Sequence, residues 1–182
     1  MPVTSLPPAP IEVLAFEPQH YVMSRWHNIT IIYWMNQATG PAVSLLSDLT
    51  RRFAQQHTEG FSNIHIVKEG APLPDAEARG GFAAMMEEHA KSMACVAIVL
   101  MGGGFWASAL QGIGTSLRMI TPRTYMMRFA RSPDELRTWL PHEHSRRTRQ
   151  LVDGTSLSNA VDQVFQASLA PSLPRQATGS YR

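Results

Sequence analysis

The feature that most constrains this chain is an uncharged stretch from Ser92 to Leu117, which is interrupted by three consecutive glycines, Gly102 to Gly104. The residues before the glycines form a short β-branched run, "CVAIVLM", whereas the apolar residues after them recur with helical spacing. A membrane span needs about 20 residues that can all be helical in lipid, and adjacent glycines disfavour that continuity. The pattern therefore predicts a buried strand, a tight turn and a packed helix, and no transmembrane segment.

The glycine turn also satisfies a GxGxxA spacing, from Gly102 to Ala107, between a predicted strand and a predicted helix. In dinucleotide-binding folds this spacing opens the first βαβ unit, and an acidic residue follows about 20 residues later. Here earlier strands precede the turn, and Arg123, Arg128 and Arg131 lie at the acidic position. We favour the interpretation that the glycines only permit a tight turn. A nucleotide- or dinucleotide-binding enzyme that uses this turn remains the alternative.

The composition is that of one globular domain. The chain has 182 residues, of which 44% are apolar and 16% are charged, and its net charge is +2. This charge gives no reason to expect DNA binding, although Arg146 and its neighbours in "RRTRQ" also allow contact with an anionic membrane or lipid. The N-terminus has neither a basic nor an apolar signal region, so we expect a cytoplasmic protein.

The composition changes along the chain and predicts three segments. Residues 1–10 contain four prolines and are expected to form a flexible lead-in. Residues 11–150 carry alternating strand and helix patterns and are expected to form the folded domain. Residues 151–182 are rich in Ser, Ala and Gln and are expected to form a C-terminal tail with one short amphipathic helix.

Within residues 11–150, two β-rich runs are followed by alternating helices and strands. The predicted strands are 21–26, 28–35, 61–70, 95–101 and 124–130, and the predicted helices are 41–57, 75–93, 104–120 and one that begins near 132. Strand–helix–strand alternation favours parallel pairing with helices packed on the sheet. We therefore predict a single α/β domain with a mixed sheet of four to five strands.

This order of elements resembles the STAS domain and the related SpoIIAA-like proteins. The resemblance covers about residues 20–141 and rests on three phrases, "PAVSLLSDLTRRFAQQH", "VAIVLMGGGFWASALQGIGTSL" and "YMMRFARSPDELRTWL". It implies a non-catalytic regulatory or scaffolding module of bacteria that acts through protein–protein interaction. The SpoIIAA-like group also includes lipid-binding relatives, so a carrier of lipid or of a small apolar ligand is a further alternative.

This chain departs from the STAS pattern at one informative place. STAS antagonists of anti-sigma factors carry a phosphorylatable Ser or Thr, preceded by Asp, at the start of the helix that follows the apolar strand. The corresponding residues here are Gly103 to Phe105, and none of them is acidic or bears a hydroxyl group. The resemblance therefore implies the scaffold of these proteins without that phosphorylation switch.

We expect the partner-binding surface at the glycine turn and the helix that follows it. That helix has no charged residue before Arg118, so we expect another protein, or a second copy of this chain in a homodimer, to cover it. Aromatic and apolar residues are typical of such contacts. The residues predicted to form the surface are Gly103, Gly104, Phe105, Trp106 and Leu110.

No residue pattern predicts a catalytic, cofactor-binding or metal site. The pair His142 and His144 in "PHEHSRR" lacks nearby third and fourth ligands, and we expect both residues at a solvated helix end. Cys95, the only cysteine, lies in the most apolar strand and is expected to be inert. His65, in a predicted strand, is expected to be a satisfied core or half-buried residue.

Overall fold

The computed structural model describes residues 4–5, 9–120 and 125–170, and it describes the side chains of 9–116 and 125–170. Residues 1–3, 6–8, 121–124 and 171–182 lie outside the described residues, and so do most of the predicted lead-in, Arg123 and the end of the predicted tail. The described strands are β1 (Thr4–Ser5), β2 (Glu12–Glu17), β3 (Tyr21–Trp26), β4 (Ile29–Trp34), β5 (Phe61–Val67), β6 (Met93–Leu100), β7 (Met126–Ala130) and β8 (Gln150–Leu151). The described α-helices are α1 (Gly40–Gln56), α2 (Ala76–Glu88), α3 (Gly104–Ile120), α4 (Leu136–Thr148) and α5 (Gly154–Ser168), and a 3₁₀ turn at Pro133–Glu135 precedes α4.

Six of these strands form one mixed sheet in the order β2-β3-β4-β5-β6-β7, and β1 pairs separately with β8. The first three strands of the sheet are antiparallel neighbours, whereas β4 to β7 are parallel. From β4 to β7, each connection leads to the neighbouring strand, always towards the same edge of the sheet. Right-handed crossovers of this kind bring α1, α2 and α3 to one face of the sheet, and α4 and α5 cover the other face.

The prediction of a single α/β domain with a mixed sheet is confirmed, but the predicted strand number is too low, because the sheet has six strands. The strand of this sheet that the pattern missed is β2, an edge strand whose residues are half-buried or exposed. Its sequence, "EVLAFE", lies between Pro10 and Pro18, and its apolar run, Val13 to Phe16, is only four residues long and does not alternate with polar residues. An edge strand with one partner can be short and half-polar, so its pattern is weak.

The uncharged stretch bends at its triple glycine as the sequence predicts. Strand β6 ends at Leu100, and α3 begins at Gly104. Between them, Gly102 has a φ of +151° and Gly104 a φ of +69°, which are values that side chains with a Cβ rarely adopt. Among the described helices, none combines the length and the apolar character needed to cross a bilayer.

From Gly104 to Ser116, the part of α3 whose side chains are described, the outward face is polar although it is uncharged. The exposed residues on this face include Ser108, Gln111, Gly112, Thr115 and Ser116. The hydroxyls of Ser108 and Ser116 donate to the carbonyl oxygens four residues earlier, at 3.1 Å and 2.9 Å. This face can therefore contact water without a partner, and the expected cover by another protein or a second copy stays a prediction.

Helix α5 belongs to the core of the domain. Its buried residues pack against β3 and β4 on the face opposite α1, and Asp153 caps its first turn by accepting from the backbone N–H of Ser156 at 2.8 Å. The folded unit therefore extends beyond residue 150 to Ser168. The buried residues of this helix are Leu157, Ala160, Val161 and Val164.

Two glycines of α3 provide a matched test of how this helix lies on the sheet. A Cβ on Gly112 would meet no neighbouring atom, whereas a Cβ on Gly114 would overlap the Phe129 ring. Gly112→Ala should therefore stabilise the protein by up to about 1 kcal/mol through helix propensity. Gly114→Ala should be less stable than Gly112→Ala by at least about 1 kcal/mol, because the methyl group overpacks the contact with β7.

Urea unfolding of both variants beside the wild type measures this difference. Equal stability of Gly112→Ala and Gly114→Ala would contradict the packing of α3 on Phe129.

Candidate ligand-binding site

An apolar concavity that contains a buried polar group lies between the sheet and helices α2 and α3. It encloses about 650 Å³ of space, which includes its opening to solvent. We call it the α2–α3 pocket. Its lining comes from β4 (Trp34), β5 (His65, Val67), β6 (Ile98, Leu100), α2 (Phe82, Met86), α3 (Leu110, Ile113, Gly114) and the loops after β4 and β5 (Asn36, Ala38, Pro72, Pro74).

The pocket lies where the topology places ligands in parallel α/β sheets. Trp34, Val67 and Leu100 are the last residues of three adjacent parallel strands, so their carboxyl ends meet at one edge of the sheet. Ligands commonly bind outside this edge, in the space between strand ends and the following helices. The described side chains that line the pocket carry no formal charge apart from that available to a protonated His65.

The loop between β5 and α2 is held in place at the mouth of the pocket by polar contacts. The indole N–H of Trp106, in the first turn of α3, donates to the carbonyl oxygen of Ala71 at 2.7 Å. The side-chain amide of Gln37 donates to the carbonyl oxygen of Leu73 at 2.9 Å. These two hydrogen bonds attach the loop to α3 on one side and to the segment that precedes α1 on the other. Both sides of the mouth of the pocket are therefore held by hydrogen bonds.

His65 is the buried polar group of the pocket. Its side chain projects from β5, and only 6% of the residue surface is exposed. Nδ1 accepts a hydrogen bond from the indole Nε1–H of Trp34 at 3.2 Å, with the two rings parallel within 2°. A neutral imidazole that accepts at Nδ1 carries its proton on Nε2. This Nε2–H is buried and has no hydrogen-bond partner among the described residues.

Burial also fixes the charge of His65. It lowers the pKa of His65 from 6.5 to about 4, because an apolar environment disfavours the imidazolium form. The side chain is therefore neutral at pH 7. The pocket consequently presents one uncharged hydrogen-bond donor within an apolar lining.

The structure places the five residues of the predicted partner surface in different environments. Phe105 is 90% exposed, and Gly103 and Gly104 are also exposed. Trp106 is half-buried and bonded to the loop at Ala71, whereas Leu110 is buried and lines the pocket. The structure therefore leaves the glycines and Phe105 on the outside and directs Leu110 inward.

A second buried polar cluster lies under α4, on the opposite face of the sheet. The side chains of Asn28, Ser62, Cys95 and His144 are each no more than 1% exposed. His144 contacts Asn28 Oδ1 through Nε2 at 3.0 Å and Ser62 Oγ through Nδ1 at 2.8 Å, and Ser62 Oγ lies 3.1 Å from Cys95 Sγ. The expectation that His144 lies at a solvated helix end is therefore wrong, although His142 is exposed.

These contacts determine which atom donates and which accepts in each hydrogen bond of the cluster. The amide of Asn28 donates to the Gly60 carbonyl at 2.9 Å, so its oxygen accepts from Nε2–H of His144. Nδ1 of His144 then accepts from Ser62, whose oxygen accepts from the thiol of Cys95. Burial lowers the pKa of His144 to about 4 and raises that of Cys95 to about 11.

The composition of this cluster resembles that of a nucleophile–histidine–amide set, but its geometry indicates a structural role. Every member is satisfied, and both the thiolate and the imidazolium forms are disfavoured. A substrate would have to displace α4 to reach the cluster. Among the described residues, no group of His, Cys, Asp or Glu side chains has the arrangement of a metal site.

Sequence reasoning did not identify the pocket or the roles of the two histidines. One signal was present in "FSNIHIV", because a central strand covered by helices on both faces must bury every side chain, including His65. The partner of His65 could not be inferred, since Trp34 lies on the neighbouring strand and their contact depends on the register of β4 and β5.

No family model, no curated protein and no solved structure matches this chain. The likeness to STAS and SpoIIAA-like proteins therefore stays a prediction from the sequence pattern.

Two of the buried histidines, His65 and His144, predict a loss of stability in mild acid. Their pKa is about 4 in the folded protein and about 6.5 when the chain is unfolded, so only the unfolded chain takes up protons between these values. This stabilisation is complete above pH 6.5 and is lost as the pH falls towards 4. Between pH 7.5 and 5.0 the free energy of unfolding should fall by about 2 kcal/mol for each histidine.

Urea unfolding across this pH range measures the effect. His65→Phe and His144→Phe should each make the dependence on pH shallower, whatever their absolute stability, and His142→Gln serves as the exposed control. A free energy of unfolding that does not change between pH 7.5 and 5.0 would show that the two histidines are not buried in the neutral form.

Proposed function

We propose that this protein binds a small, largely apolar ligand in the α2–α3 pocket and acts as a binding module without catalysis of its own. The observation that carries the proposal is the unpartnered Nε2–H of His65, buried among apolar side chains in a concave site. Buried polar groups in proteins nearly always have a partner, and one without a partner at a pocket points to a ligand. Of the alternatives that the sequence left open, we therefore favour a carrier of a lipid or small apolar ligand.

The shape and chemistry of the pocket support this class of ligand. Pockets for small molecules are typically apolar and contain a few placed polar groups, as this lining does. A phosphate or dinucleotide would require cations or several free backbone N–H groups. The described lining contains neither Lys nor Arg, so the pocket is better suited to an uncharged molecule than to a nucleotide.

A fluorescent probe tests the proposal directly. N-phenyl-1-naphthylamine is neutral, and its emission increases in apolar surroundings. We expect saturable binding of about one molecule per chain. Ile113→Trp should weaken this binding at least about tenfold, because a larger side chain on the half-buried inner surface of α3 occupies the pocket.

Leu45→Trp is the matched control, since Leu45 lies on the outer surface of α1 and is 36% exposed. It should bind the probe as the wild type does. Circular dichroism of both variants verifies that they are folded. Unsaturable binding to the wild type, or equal affinity of the wild type and Ile113→Trp, would refute the proposal.

Protein–protein interaction at the start of α3 is a second candidate function, and one observation favours it. Phe105 is 90% exposed, more than the other exposed large apolar residues of the described chain. Up to Ser116, the last residue of α3 whose side chain is described, the outward face beside it carries no charge that would repel another copy. We therefore keep self-association through Phe105 as a proposal, in line with the regulatory role that the resemblance implies.

Light scattering at increasing protein concentration tests this second candidate. We expect the mean mass to rise for the wild type and to remain that of the monomer for Phe105→Ser. Leu169→Ser is the control, because Leu169 is 75% exposed at the end of α5. The candidate fails if the wild type remains a monomer, or if Phe105→Ser associates as strongly as the wild type.

A further inference from the structure

We infer that the ligand of the α2–α3 pocket carries a neutral hydrogen-bond acceptor, such as a carbonyl oxygen or an aromatic ring nitrogen, which binds the Nε2–H of His65. This inference rests on the proposed function, and it adds the chemical class of the ligand. It also assigns Trp34 the role of a positioning residue, because its indole N–H determines which nitrogen of His65 faces the ligand.

The first step of the argument is the direction of the donor. Trp34 Nε1 has a hydrogen to donate and no capacity to accept, so His65 Nδ1 must accept it. The ring is also held by its environment, because Trp34 lies parallel to it and Phe82 contacts it edge-on at 5.6 Å between centroids. Nε2 therefore remains a donor, and rotation of the ring would break the bond to Trp34.

The second step is the identity of the acceptor. A buried donor without a partner is unfavourable, and a ligand that supplies an acceptor removes this penalty. A ligand that supplies only a donor would place two N–H groups against each other. A purely apolar ligand would fill the pocket but leave the Nε2–H of His65 unsatisfied.

The third step concerns charge. The described residues that line the pocket include no Lys or Arg, and His65 is neutral near pH 7. A carboxylate would lose its hydration without gaining a counter-charge, which is unfavourable in an apolar site. The acceptor is therefore part of an uncharged group.

Four bicyclic probes of similar size separate these possibilities: naphthalene has no polar atom, quinoline has one acceptor nitrogen, indole has one donor, and 2-naphthoate is an anion. Their affinities are measured at pH 7.5 by displacement of N-phenyl-1-naphthylamine. We expect quinoline to bind at least about fivefold more tightly than naphthalene. Indole and 2-naphthoate should bind more weakly than quinoline.

Two variants identify the residues responsible. In His65→Phe the preference for quinoline over naphthalene should fall to about one, because the donor is absent. In Trp34→Phe, His65 is free to exchange its proton between the two nitrogens, so indole should gain affinity relative to naphthalene. A preference for quinoline that persists in His65→Phe, or an unchanged ratio of indole to naphthalene in Trp34→Phe, would overturn the assignment.

The outcomes also separate this inference from the proposed function. If naphthalene and quinoline both bind and have equal affinities for the wild type, the pocket is a ligand site but the acceptor requirement is wrong. If none of the probes, including N-phenyl-1-naphthylamine, binds to the wild type, the proposed function itself fails.

Discussion

The hydrogen bond from Trp34 to His65 determines the chemistry of the pocket. Without it, His65 would be a buried imidazole able to carry its proton on either nitrogen. The nitrogen that faces the pocket could then be either a donor or an acceptor. With it, Nδ1 is occupied and Nε2 is a donor. The bond joins adjacent strands at the carboxyl edge of the sheet, so the parallel pairing of β4 with β5 is a condition for the site.

The main framework could be predicted from local pattern. The uncharged stretch with its triple glycine indicated β6, the turn and α3, because the change from β-branched residues to helical spacing is visible in the sequence itself. The capping of α2 by Asp75, which accepts from Ala78 at 2.7 Å, was also predictable from a short polar residue before a helical segment. Edge strand β2 escaped prediction because a half-exposed strand has no comparable signal.

The candidate site was much less accessible to prediction, because it depends on contacts between distant segments. The pocket exists where α3 lies over the sheet, and Gly114 allows this helix to contact Phe129 on β7. The environments of His65 and His144 likewise depend on packing. Each histidine is buried in a neutral form on a different face of the sheet, and their neighbours come from other strands and helices.

Helix α3 contributes to both candidate functions. Its inner side supplies Leu110, Ile113 and Gly114 to the pocket, and its first turn presents Phe105 to solvent. The bond from Trp106 to Ala71 links the same turn to the loop at the mouth of the pocket. A ligand that contacts the inner side of this helix would therefore lie next to the element that carries the proposed protein-binding residue.

The most direct measurement of the central claim is a ¹H–¹⁵N NMR spectrum of the histidine imidazoles, with His65 assigned by comparison with His65→Phe. The account predicts that His65 Nε2 is protonated and Nδ1 is not, and that this neutral form persists from pH 7.5 down to at least pH 5. A proton on Nδ1, or a titration of His65 near pH 6.5, would contradict the account.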